Sequence, residues 1–117
     1  MRTPRRKFLA MGLGLLAAGA TVLAQPRPRV IRVRARRFAF TPSSISLKKG
    51  QPVVFELTTE DIFMGMNIPD FGVRSDIVPG KTMKLALTPD KAGTFTFLCD
   101  VFCGDGHESM SGQLIVL

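Results

Sequence analysis

Tyrosine and tryptophan are absent from this 117-residue chain, and histidine occurs once. Without tyrosine or tryptophan among its arginines, the basic stretch Arg27, Arg29, Arg32, Arg34, Arg36 and Arg37 has no stacking platform for bases. No nucleic-acid partner is expected, and the stretch reads as a solvated strand face. No nucleophile–base pair is recognisable either, so catalysis by the chain itself is not expected. A sustained 3.6-residue apolar period is missing, as is any internal repeat, which excludes helical and repeat architectures. The one long apolar run, Phe8 to Leu23, is too short and too rich in glycine (Gly12, Gly14, Gly19) for a comfortable membrane span.

That run instead has the layout of a signal peptide. Arg2, Arg5, Arg6 and Lys7 precede it, and Val22-Leu23-Ala24 offers a small-residue cleavage site. Arg5-Arg6-Lys7-Phe8-Leu9 is similar to the twin-arginine export motif, with Pro4 where Ser or Thr is usual and Ala10 in place of Lys. The expected organisation is a signal over residues 1–24, a short linker over 25–29 and one domain over 30–117. Cleavage after Ala24 would leave an exported, periplasmic protein with no stable membrane span. The first 24 residues hold four of the sixteen basic residues and none of the nine acids, so the remainder carries about +3 rather than +7.

Beyond the linker the apolar period is two. Ile31, Val33 and Ala35 alternate with Arg32, Arg34 and Arg36; Phe38 and Phe40 continue the apolar face one residue out of phase, which predicts a bulge at Arg36-Arg37. Further short runs centre on Ile45 and Leu47, Val53 to Leu57, Met64 to Ile68, Val73 to Val78, Met83 to Leu87, Phe95 to Phe97, and Leu114 to Val116. Turn signals such as Lys49-Gly50 and Pro79-Gly80 separate them. Seven or eight strands so spaced predict an all-β Greek-key sandwich or barrel.

Chemistry concentrates in Cys99-Asp-Val-Phe-Cys103-Gly-Asp-Gly-His107-Glu-Ser-Met110. Two thiols, an imidazole and a thioether on one short loop form a soft donor set, which suits copper, above all Cu(I). Zinc fits less well, because structural zinc sites usually take four Cys or His donors. A Cys99–Cys103 disulfide is the competing reading in an oxidising compartment. Seven of the nine acids (Glu60, Asp61, Asp70, Asp76, Asp100, Asp105, Glu108) lie in or beside the candidate segments. They read either as solvated loop charge or as a surface that steers a basic partner.

A strand delivering Cys99, a ligand loop and a closing strand resemble a cupredoxin. Cys-x3-Cys-x3-His-x2-Met resembles the CuA centre of cytochrome c oxidase subunit II and of nitrous oxide reductase, and Gly72-Val73 through Asp76 to Pro79-Gly80-Lys81 resembles a second stretch of the oxidase subunit. The resemblance implies copper, as one or two ions, held by Cys99, Cys103, His107 and Met110, with the backbone carbonyl of Val101 as a further ligand. It implies single-electron transfer with a c-type cytochrome or a terminal reductase as partner. One position departs from the family. In Asp61-Ile-Phe-Met64-Gly65-Met66, Met64 stands where the family has its first histidine. A thioether there makes Met64 a candidate ligand, favours Cu(I), and raises a second reading: a periplasmic chaperone or buffer that hands Cu(I) to an acceptor protein.

Overall fold

A computed structural model describes residues 27–117; the expected signal peptide lies outside the described residues. Nine strands follow in order: β1 (Arg29–Arg36), β2 (Ala39–Thr41), β3 (Ser44–Leu47), β4 (Val53–Thr59), β5 (Met64–Ile68), β6 (Val73–Ile77), β7 (Met83–Leu87), β8 (Gly93–Leu98) and β9 (Ser111–Val116). Two single-turn 3-10 helices, Pro69–Phe71 and His107–Ser109, are the helical elements among the described residues. A four-stranded sheet runs β2-β1-β4-β7 and a five-stranded sheet runs β3-β9-β8-β5-β6. The expected all-β sandwich is therefore the fold, with nine strands in place of seven or eight.

Alternation dictates the layering. Along β1, Ile31, Val33 and Ala35 point inward while the arginines between them face solvent, and β4 buries Val53, Phe55, Leu57 and Thr59 in the same way. Successive strand side chains project to opposite faces, so every second residue enters the space between the sheets. Phe55, Leu57, Phe97 and Leu114 are fully buried there. Phe40 of β2 meets Phe97 of β8 edge to face at 5.1 Å, joining the two sheets. Each such fully buried side chain contributes roughly 1.5–3 kcal/mol.

The chain departs from the expected bulge at Arg36-Arg37. Arg37 and Phe38 form a turn, and β2 folds back antiparallel on β1 with Arg36 opposite Ala39. The change of phase after Ala35 therefore marks a reversal of direction, not an extra residue within one strand. Phe40 enters the core, while Phe38 stays partly exposed and packs elsewhere.

Candidate metal centre

Strand β8 ends one residue before Cys99, and β9 begins one residue after Met110. The Cys99 amide donates to the Met110 carbonyl at 3.1 Å, so the loop is closed at its base by a bond between its end residues. Within it, the His107–Ser109 turn is held by amides of His107, Ser109 and Met110 bonding back to carbonyls of Gly104, Gly106 and His107.

This short tether brings the donors together. Cys99 Sγ lies 3.9 Å from Cys103 Sγ, which lies 3.7 Å from His107 Nδ1 and 3.8 Å from Met110 Sδ. The ligand atoms of Cys99, Cys103 and His107 all fall within 4.8 Å of one another. Cys99, Cys103 and Met110 are buried and His107 is half-buried. The cysteines are free thiols, with their sulfurs well beyond bonding distance. The Cys99 thiol donates to the Val101 carbonyl at 3.2 Å, placing that oxygen beside the cluster. Sulfurs spaced by 3.8–3.9 Å match the edges of a coordination polyhedron with metal–sulfur bonds of about 2.3 Å. The donor set and its spacing fit copper.

Met64 is fully buried on β5. β5 runs antiparallel to β8 with Asn67 opposite Leu98, so Met64 lies alongside the start of the ligand loop, in the adjoining strand. Seven other residues, whose supporting role the sequence does not reveal, fix the loop. The Asp100 carboxylate accepts from Arg74 Nε and Nη2 and, at 3.3 Å, from the Asn67 amide. Gly65 makes room for this clamp: a Cβ there would lie 2.0 Å from Asp100 Oδ1. On the other side, the Phe38 ring covers Gly104 and Gly106. Asp61 holds the turn that carries Phe38, accepting from the Arg37 amide at 2.9 Å and pairing with its guanidinium at 2.9 Å. These partners are distant in sequence, so no local pattern announces them.

Electrostatics follow from the same contacts. Burial, then the neighbouring Cys99 and the Asp61 charge, push the Cys103 thiol up to about 11, against a smaller opposing pull from Arg37. Hydrogen bonds from Arg74 hold the Asp100 carboxyl below its ordinary value. Three of the acids near the site are thus paired with two arginines, Asp61 with Arg37, and Asp76 and Asp100 with Arg74, which leaves one negative charge over. Around the loop, Phe102 is 75% exposed, and a concavity of about 450 Å³ reaches Cys99, His107 and Met110 from beside β8.

The family model described as the Cupredoxin-like domain matches residues 8–116. The chain belongs to that family. Cupredoxin and CuA domains bind copper, and the Cys99, Cys103 and His107 group is one that can hold it. The cytochrome c oxidase subunit 2 of Thermus thermophilus is 27% identical over 99 residues, covering 85% of this cupredoxin and 73% of the relative. Longer oxidase subunits that it also matches are spanned over 20 to 29% of their length. Among solved structures, the periplasmic domain of cytochrome oxidase subunit II of Bradyrhizobium japonicum superposes with a TM-score of 0.72 at 16% identity, over 82% of this chain and 88% of that one. A copper-binding protein solved by NMR in its apo form is 30% identical, with a TM-score of 0.64 over 80% of this chain and 93% of that one. The cupredoxin is thus similar in sequence and in fold to domains of cytochrome oxidase subunit II.

Proposed function

We propose that the chain is an exported cupredoxin that holds copper through Cys99, Cys103, His107 and Met110 and serves in single-electron transfer. The observation that carries this reading is the gathering of two buried sulfurs and one imidazole nitrogen around the buried Cys103 sulfur at 3.7–3.9 Å. Copper bound there supplies a one-electron Cu(I)/Cu(II) couple. The protein supplies a fixed shell. Cys99 and Met110 are tied to each other through the backbone, and Asp100 and Phe38 brace the loop between them, so the donors have little freedom to rearrange when the charge changes. The buried sulfurs exclude water, and the half-exposed His107 with Phe102 offers the shortest way out to a partner. A c-type cytochrome or a terminal reductase suits that role. The relatives act within oxidases, and one solved oxidase domain was trapped as a mixed disulfide with a thioredoxin-like protein, which suggests how the thiols would be kept reduced.

The Cys103 proton must leave when the thiolate binds metal. A thiol pushed up to about 11 binds copper more weakly as pH falls, by about tenfold per unit for each proton released. The four side-chain donors of the loop would suffice to hold one ion; a second ion would draw on Met64 and the Val101 carbonyl as well. Electron paramagnetic resonance of the copper-loaded protein reads the count, since one Cu(II) nucleus splits the signal into four lines and a pair sharing an electron into seven. Replacing Met64→His, which restores the family's usual imidazole, is expected to yield the purple, shared-electron form.

The second reading, delivery of Cu(I), is favoured by Met64, because a thioether is a weak ligand for Cu(II). The deciding experiment cycles the loaded protein electrochemically and then presents it to an apo acceptor. Repeated reversible oxidation with copper retained supports electron transfer. Rapid loss of Cu(I) to the acceptor would replace that reading with the chaperone.

A further inference from the structure

The two sheets show solvent unlike surfaces. The five-stranded sheet turns out Ser44, Ser46, Thr94, Thr96, Ser111 and Gln113, a hydroxyl-rich face whose charges on β6, Arg74 and Asp76, pair with each other. The four-stranded sheet turns out Arg32, Arg34 and Arg36 from β1 and Lys84 from β7, against one acid, Glu56. The cation of the first face is matched by acids, Asp76 and Asp100, whereas the second face carries an excess of cations.

The arginines are also poorly neutralised. Arg32 makes a loose 3.7 Å pair with Glu56 while remaining 88% exposed. Arg34 and Arg36 have no carboxylate partner among the described residues. Like charges at alternate positions of one strand stand roughly 6.6 Å apart and repel. Arg34 lies in register between Thr41 of β2 and Thr58 of β4. Together with Arg32 these residues line a shallow concavity of about 360 Å³. Lysines lie mainly in loops (Lys48, Lys49, Lys81, Lys91), whereas four of the seven arginines among the described residues lie on this strand. A guanidinium fork binds a phosphate through two parallel bonds, whereas an ammonium acts as a point charge.

We propose that the outer face of the four-stranded sheet docks on an anionic phospholipid surface, with Arg32, Arg34 and Arg36 engaging headgroup phosphates. The form of the face favours a bilayer over an acidic protein. It is a row of cations on a sheet, and the uncharged side chains around them are Thr41, Thr58, Ala39, Val30, Val54 and Ala86, with no large aromatic anchor of the kind that dominates protein interfaces. Docking in this way leaves the opposite sheet, and the concavity beside Cys99 and His107, open to a partner.

The test is flotation of the full chain with phosphatidylcholine vesicles, with and without phosphatidylglycerol, at low and raised salt. The variant Arg32→Ser/Arg34→Ser/Arg36→Ser is compared with Lys48→Ser/Lys49→Ser/Lys91→Ser, which removes equal charge from the loops. Both retain the N-terminal segment, so its own membrane affinity cancels, and unchanged copper uptake verifies their fold. Wild-type partitioning is expected to rise with phosphatidylglycerol and to weaken with salt. The arginine variant should lose about a hundredfold of it and the lysine variant a few-fold at most. Equal losses in the two variants would reduce the effect to net charge and overturn the proposal. Vesicle binding indifferent to phosphatidylglycerol would also overturn it, as would capture by polyglutamate or inorganic phosphate in the absence of vesicle binding.

Discussion

At the Cys99 flank the ligand loop is held by charge and direction: Asp100 is gripped by the Arg74 guanidinium and the Asn67 amide, both presented by the pleat of β5 and β6. At the His107 flank it is held by contact. The Phe38 ring lies on a glycine-rich segment, and an ion pair acts only at one remove, through Arg37 and Asp61. The first arrangement fixes a side chain against regular backbone; the second presses on a loop whose own bonds are a single 3-10 turn. Cys99 is thus set by the framework, while Cys103 and the imidazole rest on the more lightly tied part of the site. Metal should enter and leave from the His107 side.

The comparison is broken most directly at the tighter flank. Asp100→Asn removes the charge that Arg74 grips, and Gly65→Ala drives a methyl group into the space that the carboxylate occupies. Hydrogen bonds to charged groups contribute about 1.5–3 kcal/mol when shielded, and less for a guanidinium as exposed as that of Arg74. Each substitution is expected to cost about 1–2 kcal/mol in denaturant unfolding of the metal-free protein. Because both break the same clamp, the double variant should cost clearly less than the sum. Additive losses would show that Gly65 is required for a reason other than that clamp.

Phe38→Ala tests the looser flank. A ring that is 39% exposed contributes less to global stability than a core phenylalanine, so about 1 kcal/mol is expected. Its larger signature is local. Amides of His107, Ser109 and Met110 should exchange faster with solvent water while the amide of Cys99 stays protected, and copper should dissociate faster. Equal deprotection of both flanks would mean that the loop moves as one body.

The sequence reveals some of this and conceals the rest, for identifiable reasons. The strands are legible because burial imposes a period of two, which survives wherever the inward residues are Val, Ile, Leu or Phe. The donor loop is legible because its four donors are separated by three or four residues, within the span of one loop. The reversal at Arg37-Phe38 is not, because a shift of apolar phase is common to a bulge and a turn. The clamps are not legible either. Arg74 and Asp100 lie 26 residues apart and Arg37 and Asp61 24 apart, and only the sheet register brings them together. The acidic residues near the site look like one patch in the sequence, but Asp61, Asp76 and Asp100 are bound to arginines.

The smallest expected effect is an acid limb that separates the flanks by charge partner. Arg37, chiefly through its amide and then through its guanidinium, holds the Asp61 carboxyl below its ordinary value of 3.8. A carboxyl with a depressed folded pKa contributes stability that is fully present above the unfolded value and is lost as pH falls through the folded one. The brace behind Phe38 is therefore intact from neutral pH down to about 4 and weakens below that. The Asp100 clamp obeys the same sign through Arg74. Asp61→Asn should remove only the part of the acid limb that belongs to the His107 flank, leaving Cys99 amide protection on its original pH course. If the Cys99 amide instead followed the variant, the Arg37–Asp61 pair would be supporting both flanks, and the division between a directed side and a packed side would not hold.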